Sequence, residues 1–285
     1  MIKSYVVDAH QHFWDPSTAE YPWMTDELAV IRRPFTPDDL RPLLAKTGVD
    51  FTILVQTRSS LEETREFLAL AAQTDFIAGV VGWVDLTDPA MGSALNSLKA
   101  GRGGGSLVGI RHQVHDEDDP RWLLREDVQR GIRAVAEADL TYDLLVRTRE
   151  LEAALEVVRR VPEARFVIDH IAKPPIKTGE LTEWAEAMAP FGDLANVSCK
   201  LSGMVTEADW ANWKPDDLVP YVQRVLGWFG PDRLLFGSDW PVCLVAASYE
   251  TVVDASRHAL GDLPTVAGAK IFGENAIRTY QLDLT

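Results

Sequence analysis

Short apolar runs rich in β-branched residues alternate with longer amphipathic stretches along the chain, and this alternation constrains the fold more than any other feature. The spacing predicts strands at about 5–10, 51–56, 77–84, 107–112, 140–146, 165–170, 196–201 and 233–238. Helical periodicity predicts helices at about 37–47, 60–74, 88–100, 122–138, 148–160, 179–190, 215–229 and 248–260, with one more at about 265–274. Strand, helix, strand, repeated in this way, means parallel strands joined by right-handed crossovers. An open doubly wound sheet usually carries a glycine-rich turn after its first strand. Here that turn reads His10-Gln11-His12-Phe13-Trp14, without glycine. Eight units in 285 residues point instead to a closed (β/α)8 TIM barrel, with 1–285 as one domain.

Local signals set several boundaries. Thr36-Pro37-Asp38-Asp39 reads as an N-cap, a proline at the first helical position and acids in the first turn. Ser59-Ser60-Leu61-Glu62-Glu63 resembles a capping box. Gly48, Gly192 and Gly230 fall where left-handed C-caps are expected. The segment 13–36, with Trp14 and Trp23, is too long for a simple connection and is expected to fold over the barrel mouth. Gly101-Arg102-Gly103-Gly104-Gly105-Ser106 precedes a strand and lacks the Gly-Lys-Ser/Thr ending, so it reads as a bottom-face connection and not a phosphate loop.

A net charge of −15 and a pI near 4.8 argue against nucleic acid or an anionic membrane as partner. No apolar run approaches the ~20 residues needed to span a bilayer. Cys199 and Cys243 are the only cysteines, so a disulfide framework is not expected and a reducing cytoplasm fits. No signal peptide is visible at the N-terminus.

Chemistry in such a barrel sits at the C-terminal strand ends. Strand one ends in His10 and His12, which face one space together because residues i and i+2 of a strand point the same way. Such a pair can hold a metal or orient a carbonyl. The following ends offer Gln56 and Arg58, then Trp83 and Asp85, then Arg111 and His112. Strand five gives Tyr142, Asp143 and Arg147, and strand six gives Asp169, His170 and Lys173. Strand seven gives Lys200 and Ser202, and strand eight opens through Gly237 and Ser238 onto Asp239 and Trp240. A lone histidine is more often structural; histidines converging from several strands argue for a site. His115, in an acidic loop, and His258, on a helix, are the weaker candidates.

The segments Asp8 to Trp14, Gly109 to His112, Asp169 to Pro174, Cys199 to Gly203 and Phe236 to Pro241 resemble the amidohydrolase superfamily, and more narrowly its sugar-acid lactonases of the L-fuconolactonase and L-rhamnonolactonase type. The resemblance runs through to Phe272-Gly273-Glu274-Asn275-Ala276. It implies a metal-dependent-hydrolase-like barrel with His10, His12 and Asp239 as metal ligands. Further ligands in the superfamily are a lysine after strand four or a histidine after strand five, and this sequence has neither. Catalysis without an obligatory metal is therefore expected, with room for one divalent ion such as zinc.

The expected reaction is hydrolysis of a small sugar-acid lactone, with Asp239 taking a proton from water. His10, His12, His170 and Arg111 would polarise the carbonyl. Gln56, Trp83, His112, Tyr142, Lys200, Trp14 and Trp240 are the candidates for holding the hydroxylated ring, although Lys200 reads equally well as an ion-pair partner of Asp169 or Asp239. A 2-pyrone-4,6-dicarboxylate-type lactonase and a single-zinc decarboxylase of the same superfamily are the alternatives.

Overall fold

The computed structural model describes residues 4–284. Eight parallel strands follow one another in the sheet in chain order. They are β1 (Val7–Gln11), β2 (Phe51–Val55), β3 (Ile77–Gly82), β4 (Leu107–His112), β5 (Thr141–Leu144), β6 (Arg165–Ile168), β7 (Val197–Leu201) and β8 (Leu234–Phe236). The main intervening helices are α1 (Pro37–Thr47), α2 (Leu61–Ala71), α3 (Met91–Ala100), α4 (Glu126–Glu137), α5 (Leu151–Arg160), α6 (Thr182–Met188), α7 (Pro215–Phe229) and α8 (Tyr249–Leu260). The architecture is the expected (β/α)8 TIM barrel.

Strand β8 is shorter than its predicted range because the chain turns at Gly237, where a Cβ would stand 2.7 Å from Cβ of His10. Closure to β1 comes from individual bonds: Asp239 N–H donates to His10 O at 2.8 Å, and His12 N–H to Trp240 O at 2.7 Å. The buried Asp8 carboxylate reinforces the seam. It accepts from Ser238 N–H at 2.8 Å and from the Tyr249 hydroxyl at 3.0 Å. The pairing register of β1 with β2 shifts between Asp8 and Gln11, an irregularity of the kind that re-aims side chains at a barrel rim.

Several predicted helices are cut short or divided. Arg125 is extended (φ −60°, ψ 138°), so the stretch from 122 holds a 3-10 turn, Trp122–Leu124, before α4. The stretch from 148 begins with the 3-10 turn Thr148–Glu150. Past α6 comes another, Ala189–Asp193, where Pro190 removes a backbone donor. Gly192 lies inside that turn and is not a left-handed cap. Gly48 does take the left-handed conformation (φ 73°, ψ 27°), whereas Gly230 combines φ 62° with ψ 175°. The last helix outruns its predicted end: α9 (Thr265–Ala269) leads through a π-helical turn into α10 (Asn275–Tyr280).

Both bonds of the Thr36 capping box form. Ser60 caps α2 by accepting from Glu63 N–H, but the Glu63 carboxylate turns to the Thr57 and Arg58 N–H groups, so that box is one-sided. The 13–36 segment is pinned by an isolated bridge between Trp14 and Phe35 and by the Trp14 Nε1–H donating to Ile31 O at 3.1 Å. One apolar cluster gathers Val7, Ala9, Ile53, Val55, Val81, Val167 and Leu235 against Ala276, Tyr280 and Leu282 of the C-terminal segment. Among the described residues both cysteines are free and buried, and no helix is long and apolar enough to cross a membrane.

Candidate active site

Asp239 stands where β8 opens into the mouth, at φ 57°, and the residue is 4% exposed. Three imidazoles surround one of its oxygens. Oδ1 lies 3.3 Å from Nε2 of His12, 3.8 Å from Nε2 of His10 and 4.0 Å from Nε2 of His170. Each ring is fixed from behind by its other nitrogen. His12 Nδ1 donates to Val55 O at 2.7 Å, and His170 Nδ1 lies 2.9 Å from Ser202 Oγ. His10 Nδ1 lies 3.3 Å from Asp169 Oδ1.

His170 reaches this position through an unusual backbone. His170, Ile171, Ala172 and Lys173 all have positive φ, between 47° and 59°. A left-handed conformation costs a non-glycine residue roughly 1–2 kcal/mol, so four in succession persist only because the surrounding contacts hold them. Trp184 Nε1–H donates to Ile171 O at 2.8 Å, and Gly203 offers no side chain where the His170 ring packs.

Beneath the histidines lies a buried charge network. Arg111 Nη1 approaches His10 Nε2 at 3.1 Å and donates to Asp169 Oδ2 at 2.9 Å. Lys200 Nζ donates to Asp143 Oδ2 at 2.6 Å, and pairs with Asp169 Oδ1 at 2.9 Å. The Tyr280 hydroxyl, on α10, reaches Asp143 at 2.8 Å.

Above the cluster opens a cavity of about 450 Å³. Its walls combine aromatic faces, Trp23 and Trp210, with ionisable groups: Glu27, Asp116, Glu207, Arg147, Lys173 and His115. Trp23 comes from the 13–36 segment, which folds over the mouth as expected.

The pattern of the amidohydrolase family matches residues 7–282. This chain belongs to that family. The sequence is 40% identical to L-fucono-1,5-lactonase of Burkholderia ambifaria over 283 residues, covering 97% of this chain and 96% of that protein. Identity to L-fucono-1,5-lactonase of Burkholderia multivorans is 37%, over 97% and 96% of the two chains. A crystal structure of a Burkholderia multivorans amidohydrolase with bound zinc superimposes with a TM-score of 0.92 at 36% identity, covering 98% of this chain and all of the other.

The barrel of this amidohydrolase brings five of the sequence-derived candidates together: His10, His12, His170, Arg111 and Asp239. The candidates for holding the ring are placed elsewhere. Gln56 is fully buried and accepts from Arg111 Nη2 through both its carbonyl (2.5 Å) and its side-chain oxygen (3.0 Å). Tyr142 is fully buried and packs edge-on to Phe166. Lys200 takes the ion-pair reading, with Asp169, and adds Asp143. Trp14 packs on Trp23 and Phe35, and Trp240 on Phe13 and Phe35. Trp83 Nε1–H donates to His112 Nδ1 at 3.0 Å, while His112 stacks on Trp122 and faces Glu117. None of these seven lines the cavity. The weaker candidate His115 does line it, paired with Asp116 at 3.2 Å, whereas His258 is exposed and paired with Asp216.

Burial holds His10 and His170 well below the ordinary imidazole range. For Asp239, burial opposes ionisation, but neighbouring His170 and His12 outweigh it and hold the carboxyl below its usual range. A carboxylate oxygen and a neutral imidazole lone pair repel one another unless a proton or a cation lies between them. Val55 O keeps a proton on His12 Nδ1, so Nε2 of neutral His12 would turn its lone pair towards Asp239. The donor chemistry thus fits a cation. His10, His170 and Asp239 place donor atoms within 4.8 Å of one another, so His170 joins the group expected from His10, His12 and Asp239, while His12 makes its approach to Asp239 alone. Backed imidazoles of this kind are the usual arrangement for a divalent ion.

Proposed function

We propose that this amidohydrolase opens a small sugar-acid lactone of the L-fucono-1,5-lactone type, with water as nucleophile and Asp239 as general base. The observation that carries this reading is the Asp239 carboxylate facing three Nε2 atoms at the base of the cavity. Its relatedness to L-fucono-1,5-lactonases over nearly its whole length supports a lactone-hydrolysing enzyme.

Asp239 removes a proton from water, and the water oxygen attacks the lactone carbonyl carbon. His170 donates to the oxyanion as it develops, with the positive charge of Arg111 in the lining of the same cavity. A Ser202 hydroxyl donating to His170 Nδ1 leaves the ring proton on Nε2, directed to the mouth. The tetrahedral intermediate expels the ring oxygen, and the protonated Asp239 returns its proton to that alkoxide. A carboxylate held below its usual range stays ready to accept and gives the proton back easily. With the His170 proton on Nδ1 instead, His10, His170 and Asp239 would hold a single divalent ion, which supplies Lewis-acid polarisation when bound.

The cavity favours a neutral hydroxylated ring. Glu27, Asp116 and Glu207 offer acceptors for hydroxyls, and Trp23 and Trp210 offer flat faces. Of the cations, Lys173 is already paired with Glu207 at 3.2 Å and Arg111 with Asp169. A dicarboxylate would meet Glu27, Asp116 and Glu207 in the same walls as the third lining cation, Arg147. The test is a panel of aldonolactones, with L-fucono-1,5-lactone first, followed by proton release beside 2-pyrone-4,6-dicarboxylate. Absence of turnover above spontaneous hydrolysis on every aldonolactone would reject the proposal.

A further inference from the structure

We propose that Arg111 is a built-in competitor for the Nε2 lone pair of His10, so that this site takes a divalent cation weakly and only by giving up that hydrogen bond. A guanidinium carries donors and no acceptor. With Arg111 Nη1 only 3.1 Å from His10 Nε2, that nitrogen must present its lone pair to the arginine. The ring proton then sits on Nδ1, where Asp169 Oδ1 at 3.3 Å can accept it and Lys200 Nζ at 3.3 Å cannot, so the lysine contact is one of charge and not a hydrogen bond. The same lone pair is what an imidazole offers to zinc. Arginine and metal therefore compete for one pair of electrons.

Arg111 is held firmly in this position. Nη1 also donates to Asp169 Oδ2 at 2.9 Å, and Nη2 is bound by the Gln56 carbonyl at 2.5 Å and the Gln56 side-chain oxygen at 3.0 Å. The residue is 3% exposed. Charge points the same way. Lys200 Nζ lies 3.3 Å from the other nitrogen of His10, so the ring sits between two cations. Arg111 and Lys200 are matched by Asp169 and Asp143. This buried set is neutral before any metal arrives, which leaves Asp239 as the carboxylate facing an incoming dication. The superfamily lysine or histidine missing after strands four and five is thus accompanied, at the end of β4, by a cation that already engages a first-strand histidine.

The test reads zinc affinity and needs no lactone, so its failure is distinct from failure of the proposed activity. Metal-free wild type, R111M and K200M are titrated with zinc against a chromophoric chelator. Both substitutions remove one buried positive charge beside His10, but only R111M frees Nε2. R111M should bind zinc on the order of 10- to 100-fold more tightly than wild type, the scale of a hydrogen bond to a charged group, and K200M should gain clearly less. No tightening in R111M, or an equal gain in K200M, would overturn the proposal. Should either variant fail to fold, nitrogen-15 NMR of the histidine rings in metal-free wild type decides. A His10 protonated on Nδ1 and bare on Nε2 supports the competition, and a protonated Nε2 refutes it.

Discussion

Asp239 and His170 both occupy left-handed backbone, and both aim their side chains at the same point of the barrel mouth. Strain of this kind is kept where geometry matters for chemistry. The Asp239→Asn variant keeps the shape and loses the base, so kcat on the best aldonolactone should fall by ~10²–10⁴. Turnover within a fewfold of wild type would remove Asp239 from the role. Gly203 tests the neighbouring ring. It has φ 60°, and a Cβ there would lie 2.5 Å from Nδ1 of His170. The Gly203→Ala variant should lose roughly 1–2 kcal/mol of stability from backbone strain and, by displacing the ring, at least about tenfold in kcat/KM. Thermal unfolding and steady-state kinetics measured on the same preparation check both parts. These residues were legible because strand ends are where a barrel puts chemistry. Gln56 and Lys200 also lie at strand ends; the chain offered Lys200 an ion pair with Asp169, but it did not say that the Arg111 guanidinium waits for Gln56 or that Asp143 adds to the lysine.

At the scale of elements, the β1–β8 seam connects fold and site. Asp8 sits two residues before His10 and accepts from Ser238 N–H, His10 N–H and the Tyr249 hydroxyl. Burial raises its carboxyl from 3.8 to about 6, against the lowering by those hydrogen bonds. The folded chain therefore binds a proton here that the unfolded chain has released, and the contribution of Asp8 to stability falls as pH rises from about 4 to about 6. Asp8→Asn removes that proton. The unfolding free energy of wild type relative to the variant should decline by up to roughly 3 kcal/mol across this window. Denaturant unfolding at several pH values reads the difference, and a difference that grows with pH would contradict the assignment. Helix ends repeat the lesson in smaller form: Glu63 had the spacing to close a capping box, but the turn after β2 placed the Thr57 and Arg58 amides within its reach.

Across the whole molecule, the last helix closes the barrel interior and extends to the site. Tyr280 packs in the inner cluster with Val7, Ala9 and Leu235, and its hydroxyl holds Asp143, which holds Lys200, which stands beside His10. Tyr280→Phe should cost about 1–3 kcal/mol of stability, because Asp143 loses a buried donor, with a smaller fall in kcat than Asp239→Asn. An unfolding midpoint equal to wild type would show that this bond contributes nothing. By itself, the order of residues determined the eightfold β/α repeat, the segment folded over the mouth and the strand ends that carry His10, His12, Arg111, His170 and Asp239. Hydrophobic periodicity and turn chemistry are local, so they can be read from neighbours in the chain. Only the tertiary structure decided that His170 joins His10 and Asp239 as a donor group, that Lys200 is spent on Asp143 and Asp169, and that Arg111 already holds His10. Those outcomes depend on which charged groups meet once water is excluded, and the meeting partners lie 57 and 101 residues apart in the chain.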